Sequence, residues 1–599
     1  MTIKPARPRL ALSIGVIGHR PNRLPEAARA GVEARIDALL ATLRQATDAA
    51  HARYAGVLSE APSSLTMISA LAEGADRMAA RSALRNGLAL DVPLPFAIDD
   101  YEKDFADAAS RAEYRSLLDQ AARCLVLPGN YDAARRDYEP VGHVILDHAD
   151  IILAVWDGGA SGGRGGTTEL LERAAAMDLP ILHVDAADAE PPRLLWAGLA
   201  DHPVSGAKLD DIPGAPPAEV LGTLVDNIVR PPIERAEQDK LVRFLDDRWK
   251  RLNWRIEMPL TLAMFGLRRF RRTDILAPAP AVVRREIDAV VPPSPVGGVD
   301  SNARHFETVA DAYGAADALA MRYAQKFRGA SVTTFFLSAL AVVVAAVALV
   351  GQQLFDWEDW PLATLQIALV ALVLVNTAIV RRHDWHGRWR ESREVAERLR
   401  VAIPLWLLGE TAEDATGAEP NWPAWYARAH LRALGLWSGS LDRPRLEAVR
   451  QALIALVEGQ CAYHTGTAAL MVRIEHRLLT IGNVLFALTL LLGAVALVIA
   501  LLGIDLPFSW NYVLVGITAA LPALGSATFG IRLIGDFEGA AERSSRTAAH
   551  LGAIGQALRG DRPDLAVLRS RANALADAML GDVSHWRMAT ETRKLVAPV

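Results

Sequence analysis

Four stretches without a charged residue constrain this chain more than anything else in it. Ser331–Leu354 runs for 24 residues, Pro361–Val380 for 20, Leu478–Ile504 for 27 and Leu506–Ile531 for 26. About 20 helical residues cross a hydrocarbon core, and buried helices of soluble proteins are rarely this free of charge. The pattern predicts an all-α membrane domain of four transmembrane helices in two hairpins. Arg322, Lys326 and Arg328 precede the first stretch, and Arg381, Arg382, Arg388 and Arg390 follow the second. Arg473 and Arg477 precede the third, and Arg532 follows the fourth. The turn between the first pair, FDWEDW, has no Lys or Arg, and the turn between the second pair lies in DLPFSWNY. The positive-inside rule therefore puts both turns outside, with the large segments and both termini in the cytoplasm. Trp357, Trp360, Trp510 and Tyr512 suit an interfacial aromatic belt. With no charge inside any span, no proton relay, voltage sensor or ion-coupled transport site is expected. Pro522 is a gating point or a static bend.

The remaining composition narrows the partners. The chain of 599 residues is 51% hydrophobic, and its mean hydropathy is +0.16. A net charge of −5 gives no reason to expect nucleic acid. Cys124 and Cys461 are far apart and form neither a disulfide framework nor a metal spacing. His383 and His386 are one helical turn apart but lack a third ligand, so no metal is expected. Lys4, Arg7 and Arg9 before the apolar Leu10–Gly18 imitate a signal peptide. The run is short, β-branched and closed by His19 and Arg20, which makes it a first strand.

Strand and helix patterns alternate over residues 1–185. Strands are expected at Leu10–Ile17, Leu65–Ser69, Leu90–Leu94, Cys124–Leu127, Ile151–Trp156 and Ile181–Val184, with a long helix over Pro25–Tyr54. The alternation predicts an α/β doubly wound parallel sheet of Rossmann-like type, with ligands at the C-terminal strand ends. Three junctions there carry chemistry. The first is Gly18, His19 and Arg20, and the second is Glu73, Gly74 and Asp76. The third follows Ile151–Trp156: Asp157, then glycines at 158, 159, 162, 163, 165 and 166, with Arg164 among them, then Thr167, Thr168 and Glu169 opening a helix. Glycine lets backbone N–H groups approach a phosphate, and a helix N-terminus adds positive potential. The other readings are a glycine loop that binds nothing, His19 and Arg20 capping the sheet, and Asp76 and Glu169 as helix-start charges.

These segments carry a resemblance. GVIGHRP, ALAEGADRMAA, DVPLPF and ADIILAVWDG followed by GGRGGTTE resemble the SLOG superfamily of Rossmann-like nucleotide-binding domains, which includes the LOG phosphoribohydrolases and the DNA-processing protein A fold. GGRGGTTE is similar to the LOG motif PGGxGTxxE, with Glu169 at its final Glu. Ser161 replaces the motif's Pro, Gly166 replaces its Thr, and no MxxRK segment precedes it. The resemblance implies a retained nucleotide pocket and puts hydrolysis in doubt.

Residues 186–310 form a coupling region. Prolines break up its first part, Glu237–Trp254 predicts an amphipathic helix, and Met258–Phe270 predicts an interfacial or a packed surface helix. Residues 311–470 and 471–599 then look like a duplication. Asp384-Trp-His-Gly387 after one hairpin matches Asp536-Phe-Glu-Gly539 after the other, and DRPRL at 442–446 matches DRPDL at 561–565. Each DRP is expected to start a helix, with Asp as N-cap and Pro in the first turn. The first copy adds a Trp-rich segment around Trp422, Trp425 and Trp437. The repeated unit is similar to SLATT domains, two-helix membrane effectors associated with SLOG sensors.

The combination implies a nucleotide-sensing effector in a bacterial inner membrane. It would bind a nucleotide-derived ligand and membrane lipid, assemble as a homo-oligomer and permeabilise the membrane in antiphage defence, with no cofactor required. The alternative is a membrane-anchored N-glycosidase or phosphoribohydrolase acting on a nucleotide or NAD derivative, with Glu169 as its catalytic residue.

Overall fold

The computed structural model describes residues 4–105, 107–131, 138–159, 166–200, 206, 208–291, 301–411, 421–503 and 508–591. β1 (Ala11–Gly18), β2 (Ser64–Ile68), β3 (Ala89–Leu94), β4 (Arg123–Val126), β5 (Ile151–Trp156) and β6 (Ile181–Asp185) are the six strands expected from the sequence. Three short strands extend the sheet: β7 (Arg193–Leu195), β8 (Gly214–Ala215) and β9 (Gly439–Ser440). The order is β8-β7-β6-β5-β1-β2-β3-β4-β9. The β6–β7 and β7–β8 pairs are antiparallel and the other pairs are parallel. The sheet thus continues past Asp185, where the alternating pattern in the sequence stops, and takes its last strand from the C-terminal half.

β1 and β5 bury every residue except their last, as expected of parallel strands covered on both faces. The covering helices are α1 (Arg29–Arg53), α2 (Ala75–Arg85), α3 (Ala108–Asp119), α4 (Glu139–His148), α5 (Thr167–Ala176) and α6 (Pro217–Val229). From β1 the chain steps outward through β2, β3 and β4, then crosses back to β5 and β6 on the other side. The direction of winding reverses between β1 and β5, where doubly wound sheets open a crevice.

α7 (Arg235–Leu245) is shorter than the helix expected over Glu237–Trp254. Tertiary contacts take over at its end: Asp246 pairs with Lys4, and Asp247 accepts from Tyr323 and pairs with Arg388. α8 (Glu257–Met264) buries Leu262 and exposes Leu260 and Met264.

The C-terminal half is built on long helices: α9 (Ser301–Phe355), α10 (Asp359–His383), α11 (Trp385–Leu407), α12 (Trp422–Leu434), α13 (Arg443–Leu501), α14 (Phe508–Gly535), α15 (Phe537–Gly560) and α16 (Leu565–Glu591). Four stretches of these helices are long and apolar enough to cross a membrane. Ile504 and Leu506, at the ends of the third and fourth predicted spans, lie outside the described residues. Close contacts join the apolar segments. Asn376 on α10 donates to the Ala330 carbonyl and to Thr334 Oγ1 on α9, both at 2.9 Å. Small residues seat larger partners, with Phe335 against Gly530 and Phe486 against Gly525.

The two matching Asp-x-x-Gly segments adopt the same turn. Asp384 and Asp536 both sit at φ 46° in the left-handed region, each joining an apolar helix to the next helix. Gly387 and Gly539 lie against those carboxylates, where a Cβ would collide. The DRP segments diverge. Asp442 caps α13, accepting from the Arg445 N–H at 2.9 Å. Asp561 instead closes α15, and α16 begins at Leu565 behind Asp564.

The Trp-rich segment is docked on the sheet domain. Trp425 Nε1 donates to the Val229 carbonyl at 3.1 Å, and Tyr426 Oη donates to the Ala6 carbonyl at 2.6 Å. Arg432 Nε donates to Asp150 Oδ1 at 2.7 Å, while Asp150 Oδ2 accepts from the Ser13 N–H at 2.9 Å. Beyond α12, the buried Arg123–Asp91 pair (2.9 Å) receives the chain. Arg123 donates to the Leu434 carbonyl and Asp91 accepts from the Leu436 N–H. Gly435, at φ 67°, passes so close to the Arg123 guanidinium that a Cβ has no room. These contacts lie at the N-terminal ends of β1, β4 and β5 and partway along β3.

Candidate functional site

The loops after β1 and β5 meet the start of α2 at the C-terminal edge of the sheet, across the switch point. The Ala75 N–H donates to the His19 carbonyl at 3.1 Å. Gly74 allows that approach: its φ is +100°, and a Cβ would lie 2.5 Å from the His19 oxygen. Gly18 is packed against Ala75, and its carbonyl accepts from Thr167 Oγ1 at 3.2 Å. Thr168 Oγ1 donates to the Gly159 carbonyl at 2.9 Å and Trp156 Nε1 donates to Thr168 Oγ1 at 3.0 Å, so the loop is tied to α5. Gly158, at φ 75°, makes the turn out of β5. Gly166 is the N-cap of α5 and brings no side-chain oxygen to its first-turn N–H groups.

The ionic groups converge in two clusters. Buried His19 places Nε2 2.8 Å from Asp157 Oδ1, and Arg23 forks onto the same carboxylate at 2.6–3.0 Å. Burial pushes the Asp157 carboxyl up, but the His19 and Gly159 hydrogen bonds and Arg23 outweigh it and hold the group at about 2. Arg20 Nη2 lies 3.0 Å from Asp104 Oδ2, which also accepts from Tyr138 Oη at 2.7 Å. Asp76 is buried beside this second cluster. Desolvation raises its carboxyl to about 7 against the Ala72 N–H, Arg20 and Arg77.

Gly18, His19, Gly74, Asp157, Gly158, Gly166, Thr167 and Thr168 therefore share one junction, with Arg20 and Asp76 beside it. Glu73 turns away and accepts from Ser110 at the start of α3. Glu169 is half-buried in the first turn of α5. Gly162, Gly163, Arg164 and Gly165 lie outside the described residues, as does Ser161. The sequence reading did not include Arg23, Asp104 and Tyr138. The available signal was the acidic YEKDF segment after β3, which brings Asp104 to the same edge. Among the described residues no group of three or more His, Cys, Asp or Glu side chains is placed to hold a metal ion.

The site thus belongs to an α/β domain, at the switch point of its sheet, joined to a half with four helices long and apolar enough to cross a membrane. Compared with known proteins, the chain matches no family model, no curated protein and no solved structure.

Proposed function

We propose that this chain is a nucleotide-sensing membrane effector. The observation that carries the reading is the position of the β1 and β5 loops. They flank the switch point at one end of the two strands, and the other end of the same strands is tied to α12 through Asp150 and Arg432. A phosphate at the crevice would meet backbone N–H groups, the α5 N-terminus, and Arg20 and Arg23 released from their carboxylates. A resulting shift in β1 and β5 would reach the C-terminal helices through α12. The two copies of the Asp-x-x-Gly turn support reading the spans as two repeated hairpins, inserted with their short turns outside a bacterial inner membrane. On this reading an oligomer of the chain opens or disrupts the bilayer, and the SLOG and SLATT resemblances point to antiphage defence.

The anchored-hydrolase reading has one observation in its favour. Asp76, buried beside the crevice with its carboxyl near 7, has the profile of a general acid.

The experiment titrates the detergent-solubilised full chain with cyclic oligonucleotides, ADP-ribose forms and mononucleotides, then adds the bound species to dye-loaded proteoliposomes. One species should bind and release dye, and Arg20→Ala or Arg23→Ala should weaken binding about tenfold, the worth of one charge-assisted contact. Absence of binding across the panel overturns the sensor reading. Multiple turnover with release of free base, lost in Glu169→Gln or Asp76→Asn, replaces it with the hydrolase.

A further inference from the structure

A cavity of about 510 Å³ lies where the apolar helices meet the rest of the C-terminal half, a volume in the range of ligand pockets. Three walls change character in the same direction. Along α9 the lining passes from Asp317 through Arg328 to Val332, and along α13 from Gln460 through His464 to Ile474. The junction of α14 and α15 runs in reverse, from Ile531 through Phe537 to Arg543. The end nearer the spans is thus apolar. There Val332, Ile474, Ile531 and Phe537 join Leu262 of α8 in a small core of their own.

At the other end most charges are paired within the wall. Arg393 lies 2.8 Å from Asp317 and also pairs with Glu397, and Arg543 lies 2.9 Å from Asp536. Asp582, which accepts from Thr547 Oγ1 at 3.0 Å, Arg328 and His464 are left without an ion pair among the described residues. Arg328 is exposed, lines the cavity and has no carboxylate among the described residues within ion-pair distance. Its guanidinium lies only over the Trp389 ring, 4.8 Å from the centroid. His464 is more than nine-tenths buried, and its Nδ1 has no hydrogen-bond partner. An unsatisfied nitrogen on a buried imidazole is costly, and the exposed Arg328 guanidinium has no carboxylate among the described residues to compete with an anionic ligand.

We propose that this cavity binds a membrane phospholipid, with the phosphodiester on Arg328 and His464 and acyl chain against Val332, Ile474 and Ile531. A phosphate oxygen supplies the missing partner at the polar end. Free phosphate or a nucleotide would leave the apolar end unfilled, whereas an acyl chain entering from the level of the spans fills it. The inference rests on reading the four helices as membrane spans and is independent of the nucleotide crevice. Recovery of the chain in the membrane fraction checks that premise separately.

The test purifies the full chain in mild detergent and measures bound lipid by native mass spectrometry and by extraction. Delipidated protein is then titrated with palmitoyl-oleoyl phosphatidylglycerol, palmitoyl-oleoyl phosphatidylethanolamine and inorganic phosphate. The wild type and the surface control Arg546→Gln should retain a phospholipid, and Arg328→Gln should lose about tenfold in affinity. Val332→Trp, which fills the apolar end and leaves Arg328 in place, should lower occupancy as well. It decides the matter should Arg328→Gln not fold. A wild type that binds no phospholipid, variants that retain it undiminished, or phosphate binding as tightly as lipid overturns the proposal.

Discussion

Asp76 is the residue whose environment makes the clearest solution prediction. Its carboxyl is held near 7 by burial, above the ordinary value of about 3.9. The native state therefore favours the protonated form more than the unfolded chain does. Stability from this source is fully present below pH 4 and is lost as pH rises from 4 through 7. Asp76→Asn keeps an acceptor for the Ala72 N–H and removes the titration. Relative to the parent, the variant should gain nothing at pH 4 and on the order of 4 kcal/mol above pH 7. Chemical denaturation across that range checks it, and a difference that does not change with pH refutes it. Gly18, Gly74 and Asp157 were legible in the sequence because a glycine or acid at a strand end is a local signal. The pairing of Arg20 with Asp104 was not, since the partners are 84 residues apart and meet only once β3 lies two strands from β1.

At the scale of elements, β9 and its approach deserve the test. Two residues carry no periodicity, so no sequence pattern marks Gly439–Ser440 as a strand. Its place is set by tertiary contacts: the Arg123–Asp91 pair, the tight passage at Gly435, and Leu441 N–H donating to the Val126 carbonyl at 2.8 Å. Asp91→Ala leaves Arg123 buried without its carboxylate, a change that costs about 3–5 kcal/mol in comparable pairs. It also removes the acceptor for the Leu436 N–H. Amides of residues 434–441 should exchange with deuterium faster than those of β1, and equal protection in variant and parent would show that the pair does not hold the strand. The six longer strands were readable because each is a short, mostly apolar run between turn signals, with single polar residues such as Asp91 and His183 inside it. The end of α7 was misjudged because its charged pattern continues past Leu245, while Asp246 and Asp247 are drawn off by Lys4, Tyr323 and Arg388.

For the whole molecule, the orientation inferred from the basic residues gives a direct prediction. In a background without Cys124 and Cys461, Glu358→Cys, on the exposed turn after α9, should react with an impermeant maleimide added to intact cells. Arg546→Cys, whose side chain is 76% exposed on α15, should react only after lysis. The reverse pattern would invert the topology. The four long apolar helices were legible from charge-free length alone, whereas the joining of the two halves was not, because it depends on side chains more than 280 residues apart, such as Arg432 and Asp150. That joining has a consequence for biogenesis. The ribosome delivers β4 long before β9, and α9 and α10, with the first two apolar segments, emerge in between. The outer edge of β4 must wait unpaired while those segments are made, a period in which open strand edges invite misassembly. Completion of the sheet is thereby placed after synthesis of the first two apolar helices, and the β4 edge is closed only when the C-terminal half has reached it.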